Sequence, residues 1–344
     1  MIDEKTKTIY IDHSTRATFQ ACKEKCRLGN LLGYRSKETK ASLAFGHAFH
    51  AAWEAYYNAL AGYGNDQQGV LYKLGASDTP VTETEHAQAA FLRDLGYSDA
   101  KLPIQIENEE RRSIERGLYL VEAYIYRWSN EPYENILIEG VPQTEVGFKY
   151  FITKWEDYDV YYVGFIDRLM YNRMTQRPVI FEGKTTTQGL SQFILQAKPN
   201  HQITGYFPGA LKIVSGITEC VWDCTFISDR MPNMKKGLTD RFWAYGINID
   251  DDFKRQITTR SQTDISEFRL ELEEDVQDYC RWITSGKTRW PRTAPGACHA
   301  FGGCQFRSRC SVNLEPEQEQ SFMESFFKVE KWEPWRKILE RQQK

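Results

Sequence analysis

The segments VGFIDRLM and VIFEGK hold three residues that could act together: Asp167 in the first, Glu182 and Lys184 in the second. Both segments read as strands. Glu182 and Lys184, two residues apart, then project from one face. Asp167 shares its face with Val163, Phe165 and Leu169. An ionised carboxylate among apolar neighbours is costly unless a cation or hydrogen bonds compensate it. If the two strands pair, Asp167 and Glu182 converge on one ion with Lys184 beside them. Two carboxylates, helped by a backbone carbonyl and waters, are the hard oxygen ligands that Mg2+ or Mn2+ prefers. Such an ion stabilises charge developing on a phosphate and lowers the pKa of a water, so the chemistry suited to the set is phosphodiester hydrolysis. The lysine would position that water or offset negative charge in the transition state. For these residues by themselves a plainer reading stays open: a surface ion pair between Glu182 and Lys184, with Asp167 against Arg168 or another cation.

The elements around them must place the set. Residues 16–34 and 41–60 read as helices, the second (ASLAFGHAFHAAWEAYYNAL) with clear helical period. The polar stretch 62–82 reads as a loop or insertion, and 84–97 and 106–129 read again as helices. From there the character changes. Residues 135–150, 158–171 and 178–186 are rich in Val, Ile, Tyr and Phe with turn signals between them, which predicts three consecutive strands. A helix over about 199–214, opened by Pro199, comes next, then a strand over 219–228 and a long charged helix near 251–286. The order predicts an α/β fold: a mixed central sheet flanked by helices, with a helical N-terminal part and a cysteine-bearing C-terminal segment. We expect one domain over 1–314, with a helical part to about 130, a core over about 131–230 and a helix-plus-cysteine part over about 231–314, followed by a tail over 315–344. The sequence contains no internal repeat and no low-complexity tract.

GFIDRLM followed by PVIFEGKTTT resembles the core of RecB-like members of the PD-(D/E)XK nuclease superfamily. Gln202 and Tyr206, at i and i+4 on one helical face, resemble the Q-x-x-x-Y element of that group. Gly46 and His50 in FGHAFH resemble its G-x-x-x-H pattern, and Glu145 falls at another acidic position often seen there, although it could equally be a solvated strand residue. A helical wheel agrees: Phe45, Phe49, Trp53 and Tyr56 form an apolar stripe, with His50 at its edge and His47 on the polar side. The resemblance implies a restriction-endonuclease-like core and a metal-dependent DNA nuclease. It further implies that His50, Asp167, Glu182 and the Gly183 carbonyl hold Mg2+ or Mn2+. Lys184 would act on the water, and Gln202 and Tyr206 would orient the lysine or contact the DNA backbone.

Eight cysteines are present. Cys298, Cys304 and Cys310 form C-x5-C-x5-C in a glycine-containing stretch, a pattern that can turn three thiols toward one metal but leaves it a ligand short. Iron–sulfur RecB-like nucleases of the AddB and Cas4 kind supply a fourth cysteine from far upstream, and Cys22 stands in the matching place. The resemblance thus implies a [4Fe–4S] cluster that staples the two ends of the chain. The x5 spacings are wider than the tighter pair this group often carries. Structural Zn2+ is the alternative metal, and Cys26 the alternative fourth ligand. His299 could replace a cysteine. Cys220, Cys224 and Cys280 read as core residues.

Composition narrows the function class. Apolar and charged fractions are those of a globular protein, and a net charge of −3 excludes an overall basic nucleic-acid binder, though not a local basic groove. There is no apolar run of membrane-spanning length and no signal-peptide core in MIDEKTKTIYIDHS, so we expect a cytoplasmic protein without a membrane partner. With no G-x-x-x-x-G-K-[ST] loop, unwinding would come from a partner. The expected partners are DNA, single-stranded or at duplex ends, and a helicase, single-strand-binding or recombination protein. Lys235, Lys236, Arg241 and Trp243 could line a strand groove or simply form a charged loop, and the aromatic tail could pack on the body or dock a partner. Two further readings stay open: a Cas4-like or recombination nuclease subunit working within a larger complex, and a DNA-binding scaffold without cleavage.

Overall fold

The computed structural model describes residues 1–37, 40–62, 82–96, 110–238, 240–292, 296–299, 303–312, 314–336 and 338. The chain starts with two short strands, β1 (Ile2–Asp3) and β2 (Thr8–Ile11), and the helix α1 (His13–Ala21). Helices α2 (Ala41–Leu60), α3 (Glu83–Asp94) and α4 (Ile114–Arg127) follow. Next come β3 (Tyr133–Asn135), β4 (Thr144–Trp155), β5 (Tyr158–Asn172) and β6 (Arg177–Thr186). Helix α5 (His201–Ala210), β7 (Glu219–Phe226), β8 (Phe253–Thr259), the long α6 (Gln262–Ile283) and α7 (Pro316–Phe326) complete the main elements. The expected α/β architecture, a mixed sheet between helical layers, is what forms.

β5 organises the sheet. One of its edges is covered by β4 from Tyr158 to Arg168 and then by β3 over Met170–Asn172, both antiparallel. The other edge is shared. β2 runs parallel along Asp159–Tyr162, while β6 runs antiparallel along Arg168–Asn172. Residues 163–167 therefore lie in a gap between two strands that approach from opposite ends. β7 pairs parallel with β6, and β8 closes that side antiparallel to β7.

Both faces of the sheet are buried, which is why its strands read as nearly continuous apolar runs. On one face Phe19 of α1, Ile203 and Phe207 of α5, and Phe268 and Leu272 of α6 pack on Leu169, Ile180, Cys220, Trp222 and Cys224. On the other, Phe45, Phe49 and Trp53 of α2, with Phe91 of α3 and Leu120 of α4, pack on Met170, Val179, Phe181 and Val221. The three cysteines read as core, Cys220, Cys224 and Cys280, are wholly buried. The C-terminal tail packs on the body: Trp335 stacks on Tyr10 at 4.5 Å between centroids, and Phe327–Val329 pairs with Tyr34–Ser36. Among the described residues, no helix is long and apolar enough to cross a membrane.

Several element boundaries depart from the sequence reading. The first part of the expected 251–286 helix is the strand β8, whose Ile257 and Thr258 suit a pleated edge, and the helix begins only after Ser261. Ser261 and Asp264 close a capping box there. Pro199 does not open α5; Asn200 does, its side chain accepting the Ile203 N–H at 3.0 Å. The 16–34 helix divides into α1, a helical turn at Lys23–Cys26 and a π-helical turn at Arg27–Leu31, and β2 was not anticipated. The 41–60 helix is present with those bounds. The 62–82 loop falls almost wholly outside the described residues.

Asp12 shows how the two chain ends are joined. It caps α1 by accepting the Thr15 N–H at 2.7 Å, and it accepts Trp332 Nε1–H at 3.0 Å. Asp12→Ala removes both bonds, and we expect a loss of about 1–3 kcal/mol in equilibrium urea denaturation.

Candidate active site

The β5–β6 ladder ends at the pair Arg168–Phe181. One residue further the strands separate, and the Gly183 N–H turns to the Asp167 carboxylate, donating to Oδ2 at 2.7 Å. Register would place Glu182 opposite Asp167 on this side. On the other side Glu145, between the pairs Thr144–Arg168 and Val146–Ile166, stands opposite it as well. Three carboxylates thus lie in a row across β4, β5 and β6. Glu145 adopts a left-handed backbone conformation (φ 48°), which breaks its own ladder pair. Its carboxylate, that of Asp167 and an imidazole nitrogen of His50 have ligand atoms within 4.8 Å of one another.

Each helical layer contributes to the fork. From α2, His50 brings Nδ1 to 3.4 Å from Asp167 Oδ2. The stripe expected for this helix is buried as read, with His47 exposed. Gly46 lies against Thr185, where an added Cβ would sit 3.4 Å from the hydroxyl. Trp53, one turn beyond His50, meets the imidazole edge-on at 5.1 Å and covers Gly183 so closely that a Cβ there would enter its ring. Only glycine fits between Glu182 and Lys184. From α5, Gln202 donates to Glu182 Oε1 at 3.0 Å and to the Tyr206 hydroxyl at 2.6 Å. Lys184 Nζ donates to the same Glu182 oxygen.

Burial dominates the electrostatics. Glu182 is 1 % exposed, and its Oε2 is buried with no hydrogen-bond partner. Desolvation, then the Asp167 charge, pushes its carboxyl above the usual range. Desolvation acts on Asp167 too, but His50, Lys184 and Arg168 outweigh it and hold that carboxyl below the usual range. Lys184 and His50 are likewise desolvated, yet the carboxylates raise both above their ordinary values. The result is two unlike carboxylates and a reliably cationic lysine. The clustered ligand atoms of Glu145, Asp167 and His50 could hold a divalent cation, and the partnerless Glu182 Oε2 on the neighbouring strand is a further hard oxygen donor.

The chain ends meet at a second cluster. Cys22, Cys298, Cys304 and Cys310 line one small cavity together with Lys25, Arg292, Phe306 and Arg307. Cys26 does not. It is wholly buried in the core, its thiol donates toward the Thr15 carbonyl, and burial pushes it up to about 12. His299 is exposed and off the cavity wall.

The family model of the PD-(D/E)XK nuclease superfamily matches residues 13–311, from the start of α1 to just past Cys310. The chain belongs to this superfamily. Among curated proteins none matches the sequence. Members of this superfamily are metal-dependent nucleases, and the fold brings Asp167, Glu182, Lys184, His50, Gln202 and Tyr206 together around the fork. Lys235, Lys236, Arg241 and Trp243 form a surface cluster instead: Lys236 sits 4.1 Å over the Trp243 ring and Arg241 pairs with Glu122.

Sequence reasoning missed two residues here. α1 starts at the end of β2 that faces the gap, and this sets His13 in the field of Lys184. Burial, then that charge, pushes the imidazole down to about 4. Arg168 was named only as a counterion for Asp167, whereas it lies buried against Asp223. Asp12 at a helix start was the only signal for the first, and nothing local distinguished the second.

The raised Glu182 carboxyl has a thermodynamic consequence. A group that binds its proton more tightly when folded favours the fold at low pH, and that contribution is lost as pH rises past the ordinary carboxylate range. Glu182→Gln removes the burden. In metal-free protein at pH 8 we expect it to raise Tm by about 2 °C or more, with the gain shrinking toward pH 5.

Proposed function

We propose that this superfamily member is a Mg2+- or Mn2+-dependent deoxyribonuclease that degrades DNA from its ends. The observation that carries the reading is the desolvated, partnerless Glu182 Oε2 next to Asp167 at the strand fork. His50, Asp167, Glu182 and the Gly183 carbonyl would hold the ion; His50 and Asp167 already cluster with Glu145 of β4, whereas Glu182 lies outside that cluster and would complete the set from β6. When bound, the ion supplies positive charge to the phosphate and makes an attacking water more acidic.

The protein's own groups do the rest. Lys184 is held protonated by its carboxylate neighbours, so at neutral pH it donates rather than abstracts. It orients the attacking water and offsets negative charge growing on the phosphate. Gln202 fixes the Glu182 oxygen that Lys184 also uses, so Oε2 is the oxygen that would be left to bind the ion. Tyr206 keeps its proton, because burial pushes its hydroxyl well above the ordinary value, and it anchors Gln202 from behind.

The end-directed action, and a role in DNA repair or recombination beside a helicase, single-strand-binding or recombination protein in the cytoplasm, follow from the resemblance to iron–sulfur RecB-like nucleases. The same resemblance assigns a [4Fe–4S] cluster to Cys22, Cys298, Cys304 and Cys310, and these four line one cavity, as any metal held by all four would require. Structural zinc is the alternative occupant. A tetrahedral zinc holds its sulfurs about 3.8 Å apart by its bond length. Among the described residues no three of these thiols lie within 4.8 Å of one another. Lys25, Arg292 and Arg307 line the cavity and would offset the charge of four thiolates.

Labelled single-stranded and duplex DNA, with free or blocked ends, tests the nuclease with Mg2+, Mn2+ or EDTA. We expect metal-dependent release of short products from free ends only, and a loss of about 100-fold or more in Lys184→Ala. Equal behaviour of wild type and Lys184→Ala under every metal condition would sink the reading. For the second site, anaerobically purified protein should be brown and carry about four irons and four sulfides per chain. Cys22→Ser should lose both and Cys26→Ser should keep them. Stoichiometric zinc without iron would reject the cluster.

A further inference from the structure

Directly beneath the fork lies a buried cation that the chemistry above does not use. Arg168 follows Asp167 in β5 and is 1 % exposed. Its guanidinium lies 4.2 Å from the Tyr57 ring centroid, 5.2 Å from that of Phe181 and 5.6 Å from that of Trp53. One hydrogen bond is made, from Nη2 to Asp223 at 3.3 Å, while Nε and Nη1 are buried without partners. Asp223, wholly buried on β7, also accepts from the Tyr124 hydroxyl at 2.5 Å and from Arg255 Nε at 3.2 Å. Arg255 in turn grips Glu131 with two bonds, at 2.7 and 2.8 Å.

Stability alone is a poor reason for this arginine. A desolvated guanidinium with two orphan donors is expensive, and buried ion sets can often be replaced by well-packed apolar residues without loss. What Arg168 provides is position. Arg168–Phe181 is the last rung of the β5–β6 ladder. From that rung the side chain reaches past β6 to Asp223, the β7 residue in register with Gly183. Three strands are thus tied together one residue before the Gly183 N–H leaves the ladder for Asp167. Trp53 rests on the same guanidinium, covers Gly183 and abuts His50.

We propose that Arg168 is a positioning residue for the metal ligands: through Asp223 it sets how far the fork opens, and through Trp53 it holds His50 against Asp167. The proposal rests on the metal-binding reading of that fork, and it makes a prediction for the metal-free protein as well.

The test uses the full chain with Arg168→Met, which keeps length and apolar contact while Asp223 retains Arg255 and Tyr124. In metal-free protein, NMR hydrogen exchange should show the Gly183 amide exchanging at least about tenfold faster, with Ile180, in the paired part of β6, unchanged. Mn2+ affinity, read by electron paramagnetic resonance, should weaken by about 10- to 100-fold in protein of native circular dichroism. Arg168→Lys should fall between the two, since it keeps the charge but not the planar stack and bridge; it also serves if the methionine variant does not fold. Gly183 exchange and Mn2+ affinity both within about twofold of wild type, with only Tm lowered, would make Arg168 a structural residue and overturn the proposal. If wild-type protein binds no Mn2+, the metal reading fails, and Gly183 exchange still decides whether Arg168 sets the fork.

Discussion

Two carboxylates withdrawn from water at the same place are the constraint around which this protein is arranged. Asp167 and Glu182 face each other where β5 and β6 part, and neither can be ionised there without compensation. Every nearby choice offsets that cost in part: the Gly183 N–H and His50 at Asp167, Lys184 and Gln202 at Glu182. The compensation stops short at Glu182 Oε2. A buried acceptor left unmet beside a second carboxylate is an electrostatic burden that a bound cation would relieve.

That constraint explains the sheet. A ladder running unbroken along β5 would spend the Gly183 N–H on a backbone carbonyl and draw Asp167 into ordinary pairing. Dividing one edge of β5 between β2 and β6 leaves residues 163–167 free of a strand partner on that side. The helical layers can then meet through the sheet rather than only on its faces. His50 arrives from α2 and Gln202 with Tyr206 from α5, and they converge on carboxylates one strand apart. The price of the gap is local weakness, and the buried Arg168–Asp223–Arg255–Glu131 set lies where it resists further opening.

The chain ends serve the same core from outside. Asp12 links the start of α1 to Trp332, and the strand Phe327–Val329 pairs with Tyr34–Ser36. Glu24 accepts from Arg27 and from the Trp290 backbone, while Glu319 of α7 receives Arg309 at 2.6 Å, so polar contacts join the ends beside the cysteine cavity. A cluster at that cavity would add to a closure that ion pairs and aromatic packing already begin.

By itself the sequence determined the chemistry on offer and the types of most elements. Short runs rich in Val, Ile, Tyr and Phe between turn signals announced β5 and β6, the apolar stripe of α2 announced which side of it is buried, and E-G-K with an upstream aspartate announced hard oxygen ligands beside a cation. These are local properties, written in neighbours two to four residues apart. Tertiary structure alone decided the gap in β5, the choice of Cys22 over Cys26 at the cavity, the row that adds Glu145, and the burial of Arg168. Each of those depends on desolvation and register between segments far apart in the chain. Helix spacing could not say which of two thiols one turn apart would face the C-terminal cysteines, because that is settled by packing around Phe19 and Tyr279 rather than by the turn itself.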